Sequence, residues 1–350
     1  MRLATLLLSL LLFACAPSGT PASPAAEPPS PAQIAVEPTP SGPTRQARIL
    51  DPSNHDWPRK VQGADGREVT IAQKPQRIHT LSLGADEISI RPVRSQRIAA
   101  ITTFATDPNI SNIVQASANI KKVARDAEQI LAVQPDVIVA SPFSRRELLQ
   151  QLVDAGIPVV VSDLQSAFGA YEEEIRFLSY LYGEEERGEA LIREVRERVS
   201  RIDSVVAVKP AAQRPRVLIL SGVSGGGAYS VAGKNTTRDG IILRAGGINP
   251  AAEIGLEGAK QVNIETVIQM RPDVLIFNDV DVASPNIRTE VLANPVLQDL
   301  PAIKNNRIYT LPARYVDTLS HWNVRGMEEL AKLLWPQDFA GFTFVDFAQE

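Results

Sequence analysis

Strand-like and helix-like segments alternate along almost the whole chain, and this alternation limits the fold more than any other feature. Apolar, β-branched runs stand at IHTLSL (78–83), RIAAITTF (97–104), DVIVAS (136–141) and IPVVVSD (157–163). Between them lie the amphipathic stretches DAEQILAV (126–133) and RRELLQQLVDAG (145–156), the second closing on a glycine. The same order returns in RPRVLILSG, TTRDGIILRAGG, VNIETVIQM, PDVLIFND, TEVLANPVLQDL, RIYTLPAR and NVRGMEELAKLLW, between residues 214 and 335. Buried strands alternating with helices of this length predict parallel sheets covered on both faces by helices. Two such series in 350 residues predict two α/β lobes, each with its own core.

The two series share a local repeat. AEQILAVQPDVIVAS in the first matches IETVIQMRPDVLIFN in the second, with Pro135-Asp136-Val137 echoed by Pro272-Asp273-Val274. In each copy a short helix stops before proline, which disfavours helical backbone in the residue preceding it, and a buried strand starts at once. Between the series, residues 184–207 place Leu191, Val195, Val199, Ile202 and Val206 on one helical stripe, with Glu, Arg and Ser elsewhere. Glu184, Glu185 and Glu186 complement the positive end of the helix dipole, and Lys209-Pro210 closes the far end. At ~1.5 Å per residue this helix spans roughly 35 Å, enough to act as a strut between the lobes.

The chain opens with Met1-Arg2 and the apolar run LATLLLSLLLFA, too short for a stable membrane anchor and of secretory-signal length. Cys15 follows, the single cysteine, and Leu12-Phe13-Ala14-Cys15 fits the bacterial lipobox, in which the cysteine is lipidated and becomes the mature N-terminus. One cysteine excludes an internal disulfide. The next segment, to about Arg48, is rich in Pro, Ala, Ser and Thr and reads as an extended tether. The expected organisation is a signal peptide (1–14), lipidated cysteine and tether (15–56), N-terminal lobe (57–183), helix (184–207), C-terminal lobe (208–336) and tail (337–350). A net charge of −4 and the lack of a basic run with interleaved aromatics argue against nucleic acid as partner.

From about Asp65 to Pro336 the sequence resembles the substrate-binding proteins of ABC importers, in the group that carries ferric siderophores, haem and vitamin B12. The stretches that carry the likeness are DGREVTI and KPQRIHTLSLGADEI, the two Pro-Asp-Val corners, and AGKNTTRDGIILRAGGINPAAEIGLEGAKQVNIETVI. The resemblance implies two lobes joined by one rigid helix, a ligand in a shallow cleft between them, an importer permease and its ATPase as partners, and a monomeric protein. It also implies one docking glutamate on each lobe, expected at Glu87 in LGADEI and Glu265 in VNIETVI, both on exposed helix starts.

His55, His79 and His321 are the only histidines, which argues against a three-histidine site for a bare metal ion. Phe104 fits the place of an aromatic plate at the cleft, but KVARDAEQI and GLEGAKQVNIE carry Ala, Arg or Lys where a vitamin B12 binder has tryptophans. A ferric chelate, often anionic, would suit Arg145 and Arg146 after the strand VIVAS, and Arg314 beside Tyr315. Tyr229 in a glycine-rich turn, with His321 and Trp322 at the start of the last helix, completes the set of candidate contacts. Haem would call on Tyr229, Tyr315 or His321 as an axial ligand.

One enzyme motif competes. Gly222-Val223-Ser224-Gly225-Gly226 satisfies G-x-S-x-G after a strand, and Asp279 and His321 follow in the Ser, Asp, His order of α/β-hydrolases. A nucleophile elbow needs a helix directly after the serine, whereas this serine precedes GGGAYSVAG, a turn and short strand. No catalytic residue is therefore expected.

Overall fold

The computed structural model describes residues 46–164, 167–222, 228–280 and 287–348. Cys15, most of the tether and Ser224 lie outside them. Three short antiparallel strands open the described chain, β1 (Arg48–Ile49), β2 (Arg59–Gln62) and β3 (Glu68–Ile71). The N-terminal lobe then follows the predicted alternation: β4 (Ile78–Thr80), α1 (Leu83–Ser89), β5 (Ile98–Thr102), β6 (Lys122–Val123), α2 (Ala127–Ala132), β7 (Val137–Ala140), α3 (Arg146–Asp154) and β8 (Val159–Val161). Its sheet runs β6-β5-β4-β7-β8, all parallel. Helices α4 (Tyr171–Tyr182) and α5 (Glu185–Val206) come next.

The C-terminal lobe contains β9 (Val217–Gly222), β10 (Tyr229–Ala232), α6 (Thr237–Arg244), β11 (Ala259–Val262), α7 (Ile264–Met270), β12 (Val274–Asn278), α8 (Ile287–Ala293), β13 (Ile308–Leu311) and α9 (Asn323–Leu334). Its sheet order is β11-β10-β9-β12-β13. Strands β9, β12 and β13 are parallel, while β10 is antiparallel to both neighbours. The fold class is therefore the expected one, two mainly parallel sheets joined by one long helix, with an antiparallel edge on the second sheet.

The repeated corner is duplicated down to its hydrogen bonds. Asp136 accepts from the backbone N–H of Gln76 (2.6 Å) and Arg77 (3.0 Å), and Asp273 from that of Arg216 (2.8 Å). Arg77 caps α2 by donating to the carbonyls of Gln134 and Val133, and Arg216 caps α7 by donating twice to that of Met270. Gln134 (φ 48°) and Arg271 (φ 43°) are both left-handed, a conformation non-glycine side chains disfavour and one that the surrounding bonds hold.

Helix α5 is more embedded than its stripe predicts. Gly188, Ile192 and Arg198 are buried with Leu191, Val195, Ile202 and Val206, while Val199 is half-buried. A Cβ at Gly188 would lie 2.1 Å from the Ser179 hydroxyl, so only glycine lets α5 approach α4 this closely. Each lobe keeps an apolar cluster of its own, around Leu81, Ile138 and Leu152 in the first and Leu220, Phe277 and Val291 in the second, and a third, continuous cluster runs from Ile78, Ile88 and Val137 through α4 and α5 to Ile219, Ile276 and Leu330. Each side chain so buried contributes roughly 1.5–3 kcal/mol, and a shared core resists independent motion of the lobes. The tail belongs to it: Phe339 and Phe347 are buried, and Arg198 holds the Val345 carbonyl.

Candidate functional site

In open α/β sheets ligands collect outside the carboxyl ends of the strands. In the N-terminal lobe those ends carry Phe104 on a single turn after β5, Arg125 after β6 and Arg145 after β7. Phe104, 43% exposed, lies under the Arg125 guanidinium at 5.0 Å. Arg125 also donates to the Leu81 carbonyl at the end of β4 (3.0 Å), and Arg145 donates to the Arg125 carbonyl (3.2 Å). One aromatic face and two guanidinia are thus gathered on one wall.

The opposite lobe supplies Arg314, on the turn after β13. That turn is fixed by Asp279, whose carboxylate accepts the Ala313 N–H at 2.7 Å. Arg314 lies over the Tyr315 ring at 4.8 Å and extends to the Pro108 carbonyl of the other lobe, 3.4 Å away. Among the described residues neither Arg145 nor Arg314 has a carboxylate partner. The lobes touch here: Asn112 donates to the Arg314 carbonyl at 2.7 Å. Arg146 is exposed at the start of α3, beside this wall.

Four expected ligand contacts are not at the surface. Tyr229 is 2% exposed, in the apolar layer over the second sheet. Tyr315 and Trp322 stack at 6.4 Å, and Phe347 from the tail packs edge-on against both Trp322 and His321. Because the tail covers this cluster, His321 faces protein on every side and is fully buried. Neither of its ring nitrogens has a hydrogen-bond partner among the described residues.

Burial, followed by the positive charges of Arg91 and Arg198, pulls the His321 pKa down to about 3. The unfolded chain takes up a proton near pH 6.5 and the folded chain does not, so this group costs stability as pH falls from about 6.5 towards 3. The loss is about 1.4 kcal/mol per pH unit. Wild type should therefore lose about 2 kcal/mol more than His321→Leu between pH 7 and 5. Urea titrations of both proteins across that range check this, and parallel pH profiles would contradict it.

Glu87 is a correction of a different kind. Instead of standing on an exposed helix start it is completely buried. It accepts from the Asn112 N–H and side-chain amide (both 2.9 Å), from the Thr318 hydroxyl (2.6 Å) and from the Ser320 hydroxyl. Burial pushes its carboxyl up, against which the Ser320 and Thr318 hydroxyls and the Asn112 N–H hold it down. It has no surface to offer a permease. Glu265 is exposed, in the first turn of α7 behind the Asn263 cap. Its structural counterpart is Glu128, exposed in the first turn of α2 behind the Asp126 cap.

A model of the periplasmic binding protein family matches residues 94–315. The chain belongs to that family. It is 23% identical over 288 residues to the ABC transporter substrate-binding lipoprotein YvrC of Bacillus subtilis (strain 168), covering 81% of this chain and 87% of that one. It is 24% identical over 306 residues to the molybdate-binding protein MolA of Haemophilus influenzae, covering 78% and 84% respectively. The structure of the periplasmic haem-binding protein RhuT from Roseiflexus sp. RS-1, in apo form, superimposes with a TM-score of 0.63 at 26% identity, over 75% of this chain and 99% of that one. A periplasmic binding protein belongs to a family of transport proteins rather than of enzymes. The hydrolase reading also lacks its dyad: Asp279 is engaged with Ala313, and His321 is sealed under the tail.

Proposed function

We propose that this periplasmic binding protein captures an anionic metal chelate between its lobes and hands it to an ABC importer. The observation that carries this reading is the set of guanidinia at the strand ends, Arg125 and Arg145 on one lobe and Arg314 reaching over from the other, with the part-exposed ring of Phe104 on the first. Guanidinia suit carboxylate or oxyanion groups, and an exposed aromatic face suits a flat or apolar ligand body. Ferric siderophores and haem both combine these features, and a corrinoid is the third alternative. Haem is favoured by the flatness of Phe104 and by the haem-binding neighbour, but the burial of Tyr229, Tyr315 and His321 leaves none of them free as an axial ligand. The chelate would bring its own metal.

Docking on the permease is assigned to Glu128 and Glu265, with the ATPase reached through the permease. Cys15 would carry the lipid that holds the exported protein at a membrane surface. On this reading the Cys15→Ser chain belongs in the soluble fraction, and retention on membranes would remove the anchor.

The ligand reading is tested by titrating the purified protein with haemin, a ferric hydroxamate, cyanocobalamin and molybdate, following absorbance or heat. Saturable 1:1 binding of one of the first two is expected. Tight binding of molybdate alone would make the ligand a bare oxyanion, and cyanocobalamin alone would restore the corrinoid.

A further inference from the structure

Glu87 is the most elaborately hydrogen-bonded carboxylate at the contact between the lobes. Helix α1, which carries it, is held on the first sheet by its neighbour Asp86. Asp86 accepts from the Thr80 hydroxyl and from the hydroxyl (2.5 Å) and N–H (3.2 Å) of Thr102, at the ends of β4 and β5. On its other side α1 meets the C-terminal lobe with no spare room. A Cβ on Gly84 would stand 3.3 Å from the Leu319 carbonyl oxygen. At that contact the Glu87 carboxylate takes both hydroxyls of the 318–320 segment on one oxygen and Asn112 on the other. The same Asn112 amide donates to the carbonyl of Arg314. A chain of bonds, buried up to its last link, thus runs from the strand ends of one lobe to the backbone of the turn that bears the other lobe's guanidinium.

We infer that Glu87 is a positioning residue: it pins the 312–320 segment to the N-terminal lobe and so sets where Arg314 stands across the cleft. A leucine there would fill similar volume and leave Asn112, Thr318 and Ser320 without their acceptor in a buried place. A glutamine would not. Its carbonyl can face Asn112 while the Thr318 and Ser320 hydroxyls rotate to accept from its amide. The two substitutions therefore separate loss of the latch from loss of the charge. The consequence for binding, though not the latch itself, rests on the reading of Arg314 as a ligand contact.

The test uses the full Cys15→Ser chain, spin-labelled at cysteines introduced for exposed Lys121 and Lys260, one on each lobe. Pulsed electron spin resonance then reads the distance distribution between lobes. Glu87→Leu should broaden and lengthen it, Thr318→Val with Ser320→Ala should do the same from the other side, and Glu87→Gln should leave it near wild type. The partner-side pair keeps the test decisive if Glu87→Leu does not fold. In haemin titrations, Glu87→Leu and Arg314→Ala should each weaken binding about 10-fold, and the double variant no more than Arg314→Ala alone. If wild type does not bind haemin, the ligand reading loses its haem arm and the distance measurement decides the latch alone. An unchanged distribution in both latch variants, or fully multiplicative losses in the double variant, would overturn the inference.

Discussion

Glu328→Ala is expected to destabilise the protein by about 3–5 kcal/mol, the range for breaking a buried ion pair from one side. Glu328 is buried on α9 and receives two parallel bonds from Arg198 of α5, at 2.8 and 2.7 Å, and a third from Arg325 at 2.7 Å. Arg198 then packs over the Phe347 ring at 4.0 Å. Removing the carboxylate leaves two guanidinia close together in a place that water does not reach. Arg325 keeps Asp346 and Glu329, but Arg198 is left with Glu194 at 3.9 Å and a backbone carbonyl. The control is Glu172→Ala, whose partner Arg196 is largely exposed; an ion pair of that kind is worth less than about 1 kcal/mol. Urea denaturation of both variants at neutral pH makes the comparison, and a loss at Glu328 no larger than at Glu172 would show that the helix is not anchored through this pair.

How much of this could be read from the sequence depended on the range of the interaction concerned. The alternation of strands and helices is local, set by β-branched runs, glycine stops and the Pro-Asp corners, and it held from β4 to α9. The strand β11 (AKQV) was missed because its side chains are mostly exposed and no apolar alternation marks it. Arg198 read as part of a solvated helix face because its partner lies 130 positions away on α9. His321 and Trp322 read as ligand contacts because nothing near them in sequence announces that Phe347 folds back over them. Glu87 was misplaced for a similar reason, since Thr318 and Ser320 reach it from the other lobe. Glu128 was passed over in favour of Glu87 although a local signal pointed to it: the internal repeat sets AEQILAV against IETVIQM, and in that alignment Glu128 stands opposite Glu265.

The alignment carries the second large expected effect. Each of these glutamates sits exposed in the first turn of a short capped helix, where the dipole favours its charge. Under the proposed docking assignment, two such points on the two lobes would make one bivalent contact with a permease offering matching arginines, so either alone would retain part of the binding. An exposed charge pair is worth up to about 1 kcal/mol, or roughly 5-fold in affinity. Glu128→Ala and Glu265→Ala should each weaken docking by about that factor, and the double variant by roughly 25-fold. Docking of wild type should weaken as ionic strength rises, and this dependence should flatten in the double variant. Glu87→Gln should dock normally, because its carboxylate never reaches the surface.

Binding of the protein to its cognate importer reconstituted in nanodiscs, measured beside a ligand titration on wild type and the same variants, tests delivery to a permease most directly. We expect wild type and Glu87→Gln to dock alike, each single alanine variant to dock several-fold more weakly, the double variant to dock roughly 25-fold more weakly, and ligand affinity to stay constant throughout. A double variant that docks like wild type, or that loses ligand affinity in step with docking, would contradict the assignment of these two helix starts as the permease contact.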